Sequence, residues 1–174
     1  LRFGNLDLAV LYNSERSPEL ETITLRSEEL VLISPRTSAR VGPATKGSSK
    51  RQPITLAEVA KLPLILPSRP NAFRILIEGE MIAIGCKPQV ALEVDGLNAI
   101  LSLVREGLGH AVLPSYTLSN AEDPARFTLR SIRSPRIMSE LMLVRSSRRA
   151  STDTQKKAIE LVKSVVIEAI KPYA

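Results

Sequence analysis

The sequence predicts an α/β fold, and three observations carry that prediction. Short aliphatic runs of strand length recur along the chain, stretches with helical periodicity lie between them, and Gly, Pro, Asn and Asp mark the junctions. A length of 174 residues allows one domain, or two small lobes built together. Aromatic residues make up only 3% of the chain and Trp is absent, so the core must be built from Leu, Ile, Val and Ala. The same scarcity excludes an aromatic stacking platform for single-stranded nucleic acid as the main theme.

Taken in order, the chain opens with LRFGNLDLAVLY, where Gly4 and Asn5 precede the strand LDLAVLY. Its near-continuous hydrophobicity predicts burial on both faces in a parallel sheet. LETITLR and EELVLISP read as two further strands, the first alternating and half exposed. From Arg36 to Gln52 the composition turns to Pro, Gly, Ser, Thr and Lys, which predicts an irregular loop. Thr55-Leu56-Ala57-Glu58 has the spacing of a capping box that opens a short helix.

LILP is the next strand, and the spacing predicts a helix over 72–84 with Phe73, Leu76, Ile77 and Met81 inward. QVALEV is a strand followed at once by Asp95, a natural N-cap. Leu97, Ile100, Leu101 and Val104 then give an amphipathic helix over 96–106, closed by Gly107 and Gly109. HAVLP, FTLRSI and ELMLVRS are strands, with a short helical turn over 114–118. Thr152-Asp153-Thr154-Gln155 caps a long final helix whose apolar stripe is Ala158, Leu161, Val162, Val165, Ala169 and Ile170. Segment 64–134 holds its own strand-helix-strand-helix-strand series and is expected to form one lobe, with 1–63 and 135–174 forming the other.

The net charge of +6 suggests attraction to anions, but the charges are spread. The densest run, Arg145-Ser146-Ser147-Arg148-Arg149, reads as a solvated loop, and no helix carries the basic stripe of a recognition helix. Cys86 is the only cysteine, which excludes an internal disulfide and a zinc cluster; in MIAIGCKP it reads as a buried structural thiol. No apolar run approaches a membrane span and no signal-peptide pattern is present, so a cytoplasmic location is expected.

Catalytic machinery is hard to find. His110, the only histidine, lies at the start of an apolar strand and reads as structural or pocket-lining. There is no Gly-rich phosphate fingerprint, no nucleophile elbow and no pair of metal-binding histidines, so no enzyme, cofactor or metal is expected. Ligand binding has more support. In open α/β sheets ligands sit beyond the carboxyl ends of strands, where helix N-termini also point. Two such junctions are visible, LILP–Ser68-Arg69-Pro70-Asn71 and ALEV–Asp95-Gly96-Leu97-Asn98, with Asn13 at a third strand end. Ser68, Asn71 and Asp95 read equally well as a ligand site and as plain caps and turns of the helices that follow.

The ordered set GNLDLAVLY, EELVLISP, ITLAEVAKLPLILPSRPNAFR and ALEVDGLNAILSLVREGLGHAVLPS, with the terminal helix, resembles the effector-binding domain of LysR-type transcriptional regulators. The resemblance runs over nearly the whole chain and is most specific in VDGLNAILSLVREGLGHAVLP. It implies a two-lobed, periplasmic-binding-protein-like fold that takes a small-molecule effector in its cleft. It also implies a cytoplasmic homodimer or homotetramer, not attached to a membrane, that binds DNA through an N-terminal winged helix-turn-helix absent from this chain. Carried over by position, it places Ser68 and Arg69, with Asn71, on one side of the site. Val94, Asp95 and Gly96 stand opposite, and His110 lies near the floor.

The resemblance has two departures. The effector is expected to be a carboxylate or other anion attracted by Arg69; relatives often carry a hydroxyl residue where this chain has Asp95, and an aspartate there weighs against simple anion binding or selects a ligand with donors. The family's first strand-helix elements are also missing, so the chain is expected to be an incomplete domain whose LDLAVLY strand has an open edge. The competing function is a solute-binding receptor of a transport system, which shares the fold; a small two-lobed α/β enzyme is the third reading. The effector's identity, the operator and the sign of regulation are not legible in these residues.

Overall fold

The computed structural model describes residues 6–15, 17–36, 52–148 and 152–169. Backbone contacts divide the chain into two compact units, Leu1–Glu28 with Met138–Lys171, and Glu29–Ile137 with Pro172–Ala174. The chain crosses between them inside the second strand and again just before the last one. The irregular segment expected over 36–52 falls almost wholly outside the described residues.

The first unit is an antiparallel arrangement. Strand β1 (Leu8–Tyr12) pairs antiparallel with β8 (Met138–Ser146), from Leu8 opposite Arg145 to Tyr12 opposite Leu141. β8 in turn lies beside β2 (Leu20–Pro35). The parallel, doubly buried strand expected from LDLAVLY is therefore not what forms. Val10 is 44% and Leu11 43% exposed. Hydrophobicity of a run reports its tendency to be buried; the direction of pairing depends on which strand returns alongside, and here that strand is 126 residues away at Asn13 and Ser139. LETITLR and EELVLISP are likewise one continuous strand of 16 residues, since no Gly, Pro, Asn or Asp stands between Arg26 and Glu29 to end it.

The final helix, α4 (Asp153–Ala169), starts as expected, with Thr152 and Gln155 exchanging backbone-to-side-chain hydrogen bonds of 3.2 Å each. Its stripe is rotated from the expected one: Ile159 is buried, while Leu161 and Val165 are 64% and 54% exposed.

The second unit holds the aliphatic core. The latter part of β2 pairs antiparallel with β6 (Ala111–Pro114) and with β7 (Phe127–Arg133), and the two-residue β3 (Ile54–Thr55) runs parallel to β7. The capping box at Thr55 forms, with the Glu58 N–H on Thr55 Oγ1 and the Glu58 carboxylate on the Thr55 N–H, opening α1 (Leu56–Val59). β4 (Pro63–Leu66) and β5 (Gln89–Glu93) form a parallel pair, and His110 runs beside β4 through two backbone bonds of 2.8 and 2.9 Å. Leu64, Ile65, Leu66, Ile100, Val104 and Leu113 are fully or almost fully buried.

Two helices flank these parallel strands. α2 (Ala72–Ala83) buries Phe73, Ile77 and Met81, the expected i, i+4, i+8 face, although Leu76 is only half-buried. α3 (Leu97–Arg105) buries Ile100, Leu101 and Val104. Gly109 brings the chain from α3 hard against β4: a Cβ there would lie 2.7 Å from the Pro63 carbonyl and 2.9 Å from Ile65 Cγ1. Cys86, expected buried, is half-buried instead, because it follows the end of α2 in the exposed turn toward β5.

Candidate functional site

Because β4 and β5 are parallel neighbours, their carboxyl ends lie at the same edge, and the loops that leave them meet there. The Val94 N–H donates to the Leu66 carbonyl at 3.0 Å, extending the ladder past the strands. One step further the Ser68 N–H donates to Asp95 Oδ1 at 3.1 Å. The two strand-to-helix junctions singled out in the sequence are thus joined side by side in one unit.

The helix that follows each loop is capped differently. Asn71 caps α2, its Oδ1 accepting from the Phe73 and Arg74 N–H groups at 2.9 and 3.4 Å. Asp95, expected to cap α3, does not: the N-cap residue is Gly96, with φ at +96° and no side-chain cap bond. That left-handed backbone is one a glycine adopts without a Cβ penalty, and it swings Asp95 away from the helix and toward Ser68. The Ser68 hydroxyl has no hydrogen-bond partner among the described residues.

Arg69 is mostly exposed, but its Nε and Nη2 both donate to Glu78 Oε2, at 3.0 and 2.6 Å. Beneath it lies a group that motif reading missed. Arg74 is 4% exposed and Glu78 9%. The Arg74 guanidinium donates to Glu78 Oε1, to the Pro67 carbonyl at 3.2 Å and to Glu93 Oε1 at 3.1 Å. Burial pushes the Glu78 carboxyl up, but its bonds to Arg74 and Arg69 outweigh this and hold it below the usual carboxylate range. The one available signal was the i, i+4 spacing of Arg74 and Glu78 on the same face of α2 as the apolar residues.

His110 sits apart from this bond chain. Its Nδ1 is 2.8 Å from Ser34 Oγ, a hydroxyl only 8% exposed at the end of β2, and burial lowers its pKa. No hydrogen bond among the described residues links it to Ser68 or Asp95. Val94 is half-buried beside the loop junction, and Gly96 is exposed. A separate cavity of about 100 Å³ lies along α3, lined by Asn98, Leu101, Ser102, Arg105, Glu122 and Phe127 among others, and none of the expected site residues borders it. In unit one, Asn13 is committed to β8: its Oδ1 accepts from the Glu140 N–H at 2.8 Å and its Nδ2 donates to Ser139 Oγ at 3.1 Å.

Among the described residues no group of three or more His, Cys, Asp or Glu side chains could hold a metal ion. No helix among them is long and apolar enough to cross a membrane. The arrangement offers hydrogen-bond donors and acceptors at a strand edge.

Residues 1–166 match the family model of the LysR substrate binding domain. No curated protein matches the chain. Among solved structures, the CcmR regulatory domain of Synechocystis PCC6803 in complex with 2-PG superposes with a TM-score of 0.74 at 16% identity, covering 94% of this chain and 74% of that one. The effector binding domain of QuiR in complex with shikimate gives 0.71 at 21% identity, covering 97% and 75%. The C-terminal domain of a probable LysR family regulator from Rhodococcus sp. RHA1 gives 0.70 at 20% identity, covering 92% and 75%. The chain thus spans about three quarters of the length of these domains, and the likeness establishes the two-lobe α/β fold class of periplasmic-binding-protein type.

Proposed function

Because the chain belongs to the family of LysR substrate binding domains, we propose that it senses a small-molecule effector at the paired loops 67–71 and 94–97. The observation that carries this is the Ser68–Asp95 junction. It sets a hydroxyl without a partner among the described residues and an exposed carboxylate together at the carboxyl edge of two parallel strands, where ligands of open α/β sheets bind. The bound ligands named for the CcmR and QuiR domains support an effector of metabolite size.

In this reading Ser68 makes a direct hydrogen bond to the effector, Val94 and Gly96 present backbone to it, and Asn71, Arg69 and His110 shape its surroundings. The lobe division at 63/64 and 134/135 belongs to this proposal as well; the contact-based units divide at 28/29 and 137/138. Effector binding would bias the conformation of a cytoplasmic homodimer or homotetramer and so alter DNA binding by a winged helix-turn-helix outside this chain. The shift can be no larger than the effector's differential affinity for the two states, commonly about 1–3 kcal/mol. The chain acts as a sensor with no turnover of its own.

Thermal unfolding against a metabolite panel tests the reading. A true effector raises the midpoint with the concentration dependence of mass action, and Ser68→Ala removes most of that rise. A compound that stabilises wild type, Ser68→Ala and Asp95→Ala equally binds elsewhere and sinks the assignment.

A further inference from the structure

We infer that the effector docks on Asp95 through a cationic, hydrogen-bond-donating head, an ammonium or amidinium group, and not through a carboxylate. The inference rests on the paired loops being the effector site, and it names the chemical class that site accepts.

Two groups an anion would use are already engaged within the chain. The Ser68 N–H, first free donor beyond β4, is given to Asp95 Oδ1 at 3.1 Å. The one cation on the loop, Arg69, gives Nε and Nη2 to Glu78. The charges settle the sign. Arg69 and Arg74 offset Glu78 and Glu93, to which they are bonded, and Asp95 leaves one negative charge in excess.

What remains open is acceptor capacity. A carboxylate offers about four lone-pair sites, and Asp95 spends one of them on Ser68 among the described residues. Its side chain is exposed, so the outer oxygen is reachable. The adjacent Ser68 hydroxyl can rotate to accept a second hydrogen from the same head group.

The test is calorimetric titration of the protein at constant ionic strength with agmatine and putrescine, and separately with succinate and benzoate, following thermal unfolding in parallel. The amines should bind and raise the midpoint while the carboxylates do neither. Asp95→Asn, which keeps the acceptor toward Ser68 but removes the charge, should weaken agmatine binding by about tenfold or more. Amine binding that is unchanged in Asp95→Asn, or absent in wild type, overturns the inference. Carboxylate binding to wild type that Ser68→Ala abolishes also overturns it but leaves the loop pair standing as the site. Binding of either class that neither Ser68→Ala nor Asp95→Asn alters overturns the site reading together with the inference.

Discussion

The backbone of Ser68 and the side chain of Asp95, 27 residues apart, are joined by one hydrogen bond that replaces the helix cap Asp95 was placed to make. The bond is exposed, so its contribution is that of an ordinary hydrogen bond in water. Asp95→Ala should lower unfolding free energy by about 0.5–1.5 kcal/mol, and Asp95→Asn by less, because an amide oxygen can still accept from Ser68. Urea denaturation of the three proteins checks this ordering; a loss in Asp95→Asn as large as in Asp95→Ala would mean that charge, not acceptance, holds the loops.

Glu78 is the hinge of the buried network. Glu78→Ala leaves the Arg74 guanidinium buried with only Glu93 and the Pro67 carbonyl. Removing one partner of a buried pair costs about 3–5 kcal/mol, and the residual partners place this case at the low end. The expected readout is a large fall in denaturation midpoint. Arg69→Ala, on the exposed side of the same carboxylate, should cost well under half as much.

Gly109→Ala tests the close approach of the α3–β6 connection to β4. The added Cβ meets a backbone carbonyl at 2.7 Å, and backbone cannot rotate away as a side chain can. Overpacking of this kind costs about 1–3 kcal/mol. A thermal midpoint unchanged from wild type would show that the strand gives way without strain.

His110 makes a pH prediction with a definite sign. Burial lowers its pKa in the folded protein, so below its ordinary value near 6.5 the unfolded chain binds the extra proton first. Its contribution to stability is therefore complete above about pH 6.5 and is lost as pH falls from there through the folded-state pKa. As the only histidine in the chain, it can be isolated by one substitution. His110→Asn should flatten the stability profile just below about pH 6.5 while Ser34→Ala leaves its slope in place; a slope that survives His110→Asn belongs to carboxylates.

Much of the fold was written locally. The capping boxes at Thr55 and Thr152, the Asn71 cap, the inward faces of α2 and α3 and the aliphatic strands all rest on interactions within a few residues, which spacing alone displays. The β4 and β5 junctions could be named as candidate ligand loops for the same reason, since a strand end, a turn and a helix start are consecutive. The sequence by itself also determined membership of the LysR substrate binding domains.

What only the tertiary structure decided depends on partners far along the chain. LDLAVLY became antiparallel and partly exposed because β8 returns beside it. Asp95 left its helix because the φ of Gly96 and the neighbouring Ser68 offered another bond. Arg69, expected to face the effector, is held by Glu78, and Arg74 is buried because its charge is answered from α2, β5 and the Pro67 carbonyl together. In each case a residue's charge or hydropathy states what must be satisfied, and long-range packing chooses which group satisfies it.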